Sequence, residues 1–267
     1  MRRVDDNVDN DTELRGLFDR QLRREFRGDH PDDMVENTGR VIRHIATGDG
    51  GWCGVIWSDL DEQTADGEIA AQVEHFTALG RAFEWKLYQH DRPADLGERL
   101  VKAGFRADGR EALMVAQVAD LPTEPVLPEG VRIERVTDVV GVRLMFEAHD
   151  QAFGAPAPRL EREMLYRAEH SPETLTALVV LAGDRPICGA RMEFSERTDF
   201  ASLWGGGTVP QWRGKGVYRA TVAYRAALAA ERGYRYLQVD ASDESRPILA
   251  RLGFRILSTT TPYNYEP

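Results

Sequence analysis

Cysteine is nearly missing from this chain. Only Cys53 and Cys188 occur in 267 residues, far apart and outside any CxxC spacing. That excludes a disulfide framework and a thiolate zinc site, and it fits a reducing cytoplasm. The six histidines show no metal-like spacing, so no metal is expected. The opening MRRVDDNVDND has no apolar core, so no secretory signal is expected. Apolar runs such as residues 175–182 are too short to cross a bilayer. Positive charge is also in deficit: 34 Lys and Arg face 44 Asp and Glu, a net charge of −10. That balance argues against nucleic-acid binding and against an anionic membrane surface. What the chain does have is 42% hydrophobic residues, enough for one large core or two modest ones.

Periodicity divides the chain into alternating strands and helices. Residues 1–10 read as a frayed acidic tail, and 12–27 as a helix with Leu14, Leu17, Phe18, Leu22 and Phe26 on one face. Strands are expected at 41–46 and 52–57 around the turn GDGG (48–51), which makes a hairpin. A helix at 61–80, a strand at 83–89, a helix from Pro93 to Gly104 and a strand at 112–118 follow. LPTEPVLPEG then places three prolines in ten residues, the best linker in the chain. Beyond it the pattern predicts strand 131–136, helices 139–153 and 159–169, and strands 175–182, 187–194 and 200–209. Helix 217–232 stops at Gly233, and strand 234–240, helix 246–252 and an extended tail to Tyr265 complete the series.

The two halves echo one another. Shifted by 149 residues without gaps, Gln89 falls on Gln238, Asp91 on Asp240, Leu100 on Leu249 and Gly104-Phe105-Arg106 on Gly253-Phe254-Arg255. Gly67, Ala71, Val73 and Leu79 fall on Gly216, Ala220, Val222 and Leu228. This predicts a duplication, with domains at 1–121 and 131–267 and a linker at 122–130.

The stretch GGGTVPQWRGKGVYRA at 205–220 carries the chemistry. An apolar strand leads in, a basic glycine-rich turn follows, and a helix leads out. Backbone N–H groups and a helix N-terminus then face one ligand, which should be anionic. The GxxxxGK[ST] loop fails here, because no Gly stands five before Gly214 and Gly216 follows Lys215. The dinucleotide fingerprint fails too, because it needs Gly at Arg219. Gly205, Gly206 and Gly207 strip side chains from a strand, which marks a bulge or the close approach of another backbone-like group.

Thr208-Val209-Pro210 followed by Arg213-Gly214-Lys215-Gly216-Val217-Tyr218 resembles the GNAT superfamily of acyl-CoA-dependent N-acyltransferases. Strand YRYLQVDAS, then Ser242-x-x-Ser245 and LARLGF, resembles a second element of that family. The resemblance is specific over about 200–257. It implies an α/β (α+β) fold of tandem GNAT-like domains, each a mixed, splayed β-sheet flanked by helices. It implies acetyl-CoA as co-substrate, its pyrophosphate on the Arg213–Tyr218 loop and its pantetheine arm against Gly207, Thr208 and Val209. Two departures stand out. Tyr218 replaces the family's usual Gly or Ala. Leu249 stands where many members carry a general-acid Tyr.

The first half is expected to have lost this site. In the ungapped alignment Thr64, Asp66 and Glu68 replace Arg213, Lys215 and Val217, with Asp61 and Glu62 just before. Two unit charges about 4 Å apart interact by roughly 4 kcal/mol at an effective dielectric near 20. Carboxylates there would repel a diphosphate.

Amide formation requires a neutral amine, and deprotonating a Lys-like amine at pH 7 costs roughly 4–5 kcal/mol. Glu193 and Asp240 are the candidate bases. Backbone N–H groups at Gly207–Val209 are the candidate oxyanion donors. Tyr263, with Tyr265, is the candidate replacement acid. Ser242 and Ser245 read as helix caps, and His149 and His170 as surface or core. The expected activity is acetyl transfer to a primary amine, from a small molecule or a peptide, by a monomer or homodimer. The rivals are a non-catalytic acyl-CoA-binding or scaffold protein and an unrelated phosphate-ligand protein.

Overall fold

Apolar alternation builds strands and 3.6-residue periodicity builds helices throughout this chain. In the computed structural model, which describes residues 2–28, 33–47, 51–170 and 175–267, these run as follows. The first half contains α1 (Arg2–Phe18), which continues as a π-helical turn over Asp19–Arg24. Then come β1 (Met34–Asn37), β2 (Val41–Ile45), β3 (Cys53–Ser58), α2 (Ala65–Ala78), β4 (Phe83–Tyr88), α3 (Leu96–Lys102), β5 (Arg106–Ala107) and β6 (Glu111–Gln117). The second half contains β7 (Val131–Val136), α4 (Val139–Phe153), α5 (Pro158–His170), β8 (Leu175–Ala182), β9 (Arg185–Phe194), β10 (Phe200–Thr208), α6 (Val217–Glu231), β11 (Tyr236–Ala241), α7 (Arg246–Arg251) and β12 (Arg255–Tyr265).

The sheet order is β1-β2-β3-β4-β12-β6-β11-β10-β9-β8-β7, with β5 paired to β12. The last strand of each half lies in the other half's sheet. β6 pairs antiparallel with β11, from Tyr236–Gln117 to Ala241–Ala112. β12 pairs antiparallel with β4, from Thr260–Tyr88 to Tyr265–Phe83. β6 and β12 then pair with each other and close the seam. A core cluster follows the exchange: Ala112, Met114 and Ala116 of β6 pack with Leu203, Val222, Leu237, Val239, Leu249 and Phe254.

Several expectations need correction. The stretch expected to fray is helical from Arg2. The helix expected to run to residue 27 changes to a π-turn at Asp19 and ends at Arg24, where Arg23 turns inward. β1 and β5 were not anticipated, being short and largely polar in pattern. The hairpin of β2 and β3 is present in antiparallel register, while Gly48, Asp49 and Gly50 of its turn lie outside the described residues.

The order of elements from β1 to β6 recurs from β8 to β12, but not without gaps. α2 begins 152 residues before α6, whereas Gly104-Phe105 precede Gly253-Phe254 by 149. The connection from β4 to α3 has seven residues (89–95), and the one from β11 to α7 has four (242–245). The three extra residues account for the difference. Gln89 and Asp91 are therefore not the structural counterparts of Gln238 and Asp240.

Residues 121–130 form no helix or strand, and Val126 is largely exposed. The exchange makes a prediction. A protease site inserted at 122–130 and cut after folding should leave the two fragments co-eluting on size exclusion, separable only in denaturant. Separation in native buffer would contradict the strand exchange.

Candidate functional site

Strands β10 and β11 run parallel for only three pairs, Phe200–Tyr236, Ala201–Leu237 and Ser202–Gln238. They then part. β11 stays with β6, and β10 stays with β9 across a register shift between Trp204 and Gly207. The β10 edge from 203 to 208 on the β11 side is left without a strand. Gly205 supplies φ +57°, the conformation such a bulge needs. Packing explains the other two glycines. A methyl on Gly206 would lie 2.7 Å from the Tyr218 ring, and one on Gly207 2.6 Å from the Phe153 ring.

The loop after β10 turns through Pro210–Trp212, passes Gly214 (φ +75°) and Gly216 (φ +84°) and begins α6. No side chain caps α6, and its first turn holds no acid. Its leading N–H groups and positive dipole end are thus presented to the loop. Arg213, expected to bind phosphate, is taken up otherwise. Its Nε donates to Thr208 O at 3.1 Å and its Nη2 to Ala152 O at 2.9 Å. It fastens the loop to the end of α4. Lys215 Nζ stands 4.5 Å over the Trp212 ring and is exposed. Val209, expected among the oxyanion donors, gives its N–H to Ile187 O at 3.0 Å. Antiparallel alternation then turns the Thr208 N–H the other way, toward the unpaired edge.

On the face away from α6, charged groups line the parting strands. Glu193 accepts from Arg167 Nη1 at 2.9 Å and from Arg191 Nε at 3.5 Å. Burial alone would raise its pKa, but the two guanidinium groups outweigh burial and hold it below the usual carboxylate range. A carboxylate so held is a weak base. Asp240, 2% exposed at its side chain, pairs with Lys86 Nζ at 2.7 Å, and its Oδ1 has no partner. Burial would lower the Lys86 pKa, and Asp240 reverses that. Lys86 Nζ also stands 5.4 Å from the Trp204 ring, with the Arg191 guanidinium at 5.8 Å from the same ring. Glu111 lies in the same cluster, and burial pushes its carboxyl up to about 7.

Tyr263 is not brought to this place. It lies on β12 opposite Trp85 and Ala107, in the core of the first half, with its hydroxyl against Gly97 of α3. The strand exchange carried it there, which sequence order could not reveal. Tyr265 packs beside it, on Phe83 and Phe105. Ser245 donates its N–H to Ser242 Oγ at 3.4 Å, a helix-entrance turn. His149 pairs with Asp150, and His170 donates Nδ1–H to Tyr166 O at 2.8 Å. Leu249 is fully buried.

The first half has the same divergence, closed from within. β3 and β4 run parallel for two pairs, Gly54–Glu84 and Val55–Trp85. Beyond them Arg23 bridges the gap. Its Nε donates to Ile56 O at 3.0 Å, and its Nη2 to both oxygens of Asp91 at 2.9 and 2.7 Å. Ahead of α2, Asp61 Oδ1 accepts from the N–H groups of Gln63 and Thr64 at 3.0 and 2.8 Å. Asp66 and Glu68 stand in the first helical turn. That helix start is occupied by the chain's own carboxylates. Arg23 was missed in the sequence. Nothing in residues 12–27 sets it apart from the seven other charged residues there.

The chain has the fold of the GCN5-related N-acetyltransferases. It is similar to such a protein from Kribbella flavida (TM-score 0.66, 18% identity, 88% of this chain and 90% of that one). It is also similar to a tandem GNAT protein from the clavulanic acid biosynthesis pathway (TM-score 0.56, 10% identity, 91% and 85%). A functionally unknown conserved protein from Staphylococcus epidermidis aligns as well (TM-score 0.67, 14% identity, 88% and 94%). No protein-family model matches the sequence, and no curated protein matches it.

Glu111 makes a prediction for pH. Its folded pKa, about 7, lies above the unfolded value near 4.3. Ionising it therefore destabilises the fold progressively as pH rises from about 4 to about 7. Glu111→Gln should raise the unfolding midpoint at pH 8 and leave it nearly unchanged at pH 4, read by urea denaturation at both. Equal effects at the two pH values would show that burial does not govern this carboxyl.

Proposed function

We propose, from the fold shared with the GCN5-related N-acetyltransferases, that this chain moves an acetyl group from acetyl-CoA to a primary amine, with its cofactor site in the second half alone. One observation carries the reading. The unpaired edge of β10 leads, through the loop at 209–216, into the uncapped start of α6. A pantetheine arm has two amides and can pair with such an edge as a strand does. The diphosphate then falls at Gly214, Lys215, Gly216, Val217 and Tyr218, where backbone N–H groups and a Lys answer its charge. Arg213 contributes by holding that loop in place.

The amine approaches from the face bearing Trp204, Asp240 and Lys86. Acetyl-CoA supplies a thioester carbonyl, and the Thr208 N–H is the donor turned toward it. The first half supplies one wall through Lys86 and Glu111. The sequence division at 1–121 and 131–267 is retained as two acyltransferase-like units that share strands, the first without a cofactor site. A monomer or homodimer in the cytoplasm suits this chemistry.

The test is calorimetry with CoA and desulfo-CoA, followed by thiol release from acetyl-CoA across a panel of primary amines. One CoA per chain and amine-dependent thiol release are expected. Two CoA per chain would refute the single site. Tight binding without turnover across the panel would favour the binding-protein alternative, and preference for ATP would overturn the cofactor. Gly214→Glu adds a carboxylate where nothing lies within 4 Å of the new Cβ. It should weaken CoA binding about 100-fold, from charge repulsion and left-handed backbone strain together. Unchanged affinity would refute the loop assignment.

A further inference from the structure

We propose that Tyr218 protonates the departing CoA sulfur and that Arg225 beneath it is the positioning cation that steadies the negative charge. This rests on the acetyl-CoA reading of β10 and α6. Tyr218 is the second residue of α6. Its Cε2 lies 2.7 Å from where a Gly206 Cβ would be, so the Cδ2–Cε2 edge of the ring packs against bare backbone on the strand that has lost its neighbour. Its hydroxyl bonds to Ser245, at the start of α7. The side chain therefore spans the gap between β10 and α7, across the path a pantetheine arm takes from the α6 loop into the wedge.

Arg225 stands two turns along the same face of α6. Its Nη2 is 3.5 Å from the same Gly206 Cβ position. It is 1% exposed, and its partners are neutral oxygens: Thr221 O at 3.0 Å, Arg191 O at 3.0 Å and Thr221 Oγ1 at 3.3 Å. Among the described residues it has no carboxylate partner. The buried Arg23 and Arg167 both have one. A guanidinium has five N–H groups, and three bonds leave two open. A buried cation without a counter-charge is costly and calls for an anion. A thiolate leaving from the Gly205–Gly207 bulge is a fitting one, because its charge exists only as the carbon–sulfur bond breaks.

The titratable groups facing Tyr218 are Arg225 on its own helix and Cys188 of β9. Burial raises the phenol pKa against the pull of Arg225, so the proton is in place at neutral pH. Burial also pushes the Cys188 thiol up to about 11, so it stays neutral and supplies no counter-charge. The step balances. The amine nitrogen bonds to the acetyl carbon and gives its extra proton to solvent. The carbon–sulfur electron pair moves to sulfur, and the phenolic proton follows, giving the free CoA thiol. Water reprotonates the tyrosinate once CoA departs.

Tyr218→Phe keeps the ring against Gly206 and removes only the hydroxyl. The first readout needs no turnover: titration of the bound CoA thiol by its thiolate absorbance, with the desulfo-CoA complex as blank. Bound thiol should titrate roughly one pH unit below free CoA in the unaltered chain, and Tyr218→Phe should move it back toward the free value. The second is kcat with the best amine of the panel. It should fall about 100-fold, with KM for acetyl-CoA within about twofold. No CoA binding by the unaltered chain would overturn both this proposal and the acetyl-CoA reading. Bound CoA whose thiol titrates alike in the two proteins would overturn this proposal alone. Loss of CoA affinity in step with kcat would make Tyr218 a binding residue and overturn it too.

Discussion

Two strands that part inside a protein leave amide groups in need of partners, and each such group left buried and unmet costs about 1–3 kcal/mol. β10 and β11 part after Ser202 and Gln238. Each keeps its outer neighbour, β9 or β6, so half of every strand's hydrogen bonding survives. What remains is one row of donors and acceptors on β10, aimed into the gap. The glycines at 205–207 keep that row bare. Arg213 on Thr208 O closes the row where the loop begins. The site is thus defined by which backbone groups the protein satisfies and which it leaves for a ligand.

The first half shows the other solution to the same constraint. There the protein fills the gap itself. Arg23 gives its Nε–H to the Ile56 carbonyl and its Nη2 to both oxygens of Asp91. Such charge-assisted bonds are stronger than neutral ones. The π-turn at Asp19–Arg24 is what aims Arg23 inward. Asp61 meanwhile takes the N–H groups ahead of α2. Guanidinium stands where a ligand would pair, and carboxylate where a phosphate would bind. Both ends of the place that the second half leaves open are filled here by the chain itself.

Much of this was legible in the sequence, for local reasons. The strand, glycine turn and helix at 200–231 depend on neighbours in sequence, and the positions of β7, α4 and β8 follow from periodicity alone. The repeat was legible in outline. Its three-residue gap before α3 was not, because chance matches such as Gln89 with Gln238 masked it. Side-chain partners were less legible still. Glu193 reads as a candidate base until Arg167 and Arg191 are seen on it. Arg225 could have been noticed, since Val217, Thr221 and Arg225 share one helical face and a charge there is out of pattern. Tyr263 could not be placed, because its surroundings depend on which sheet β12 joins.

The strand exchange also ties the first half to the candidate site in the second. β6 and β12 are the strands that complete each half's sheet, and each is supplied by the other half. Removing the first half would strip β11 of its outer partner. β11 would then be an edge, and Asp240 would lose Lys86, its buried counter-ion. The position of β11 sets the width of the gap beside β10. The first half therefore holds one jaw of the site in place, and its Lys86 and Glu111 bring charge to the side from which an acceptor would arrive. In the proposed reaction its role is mechanical and electrostatic, and it follows from pairing rather than from any residue that reacts.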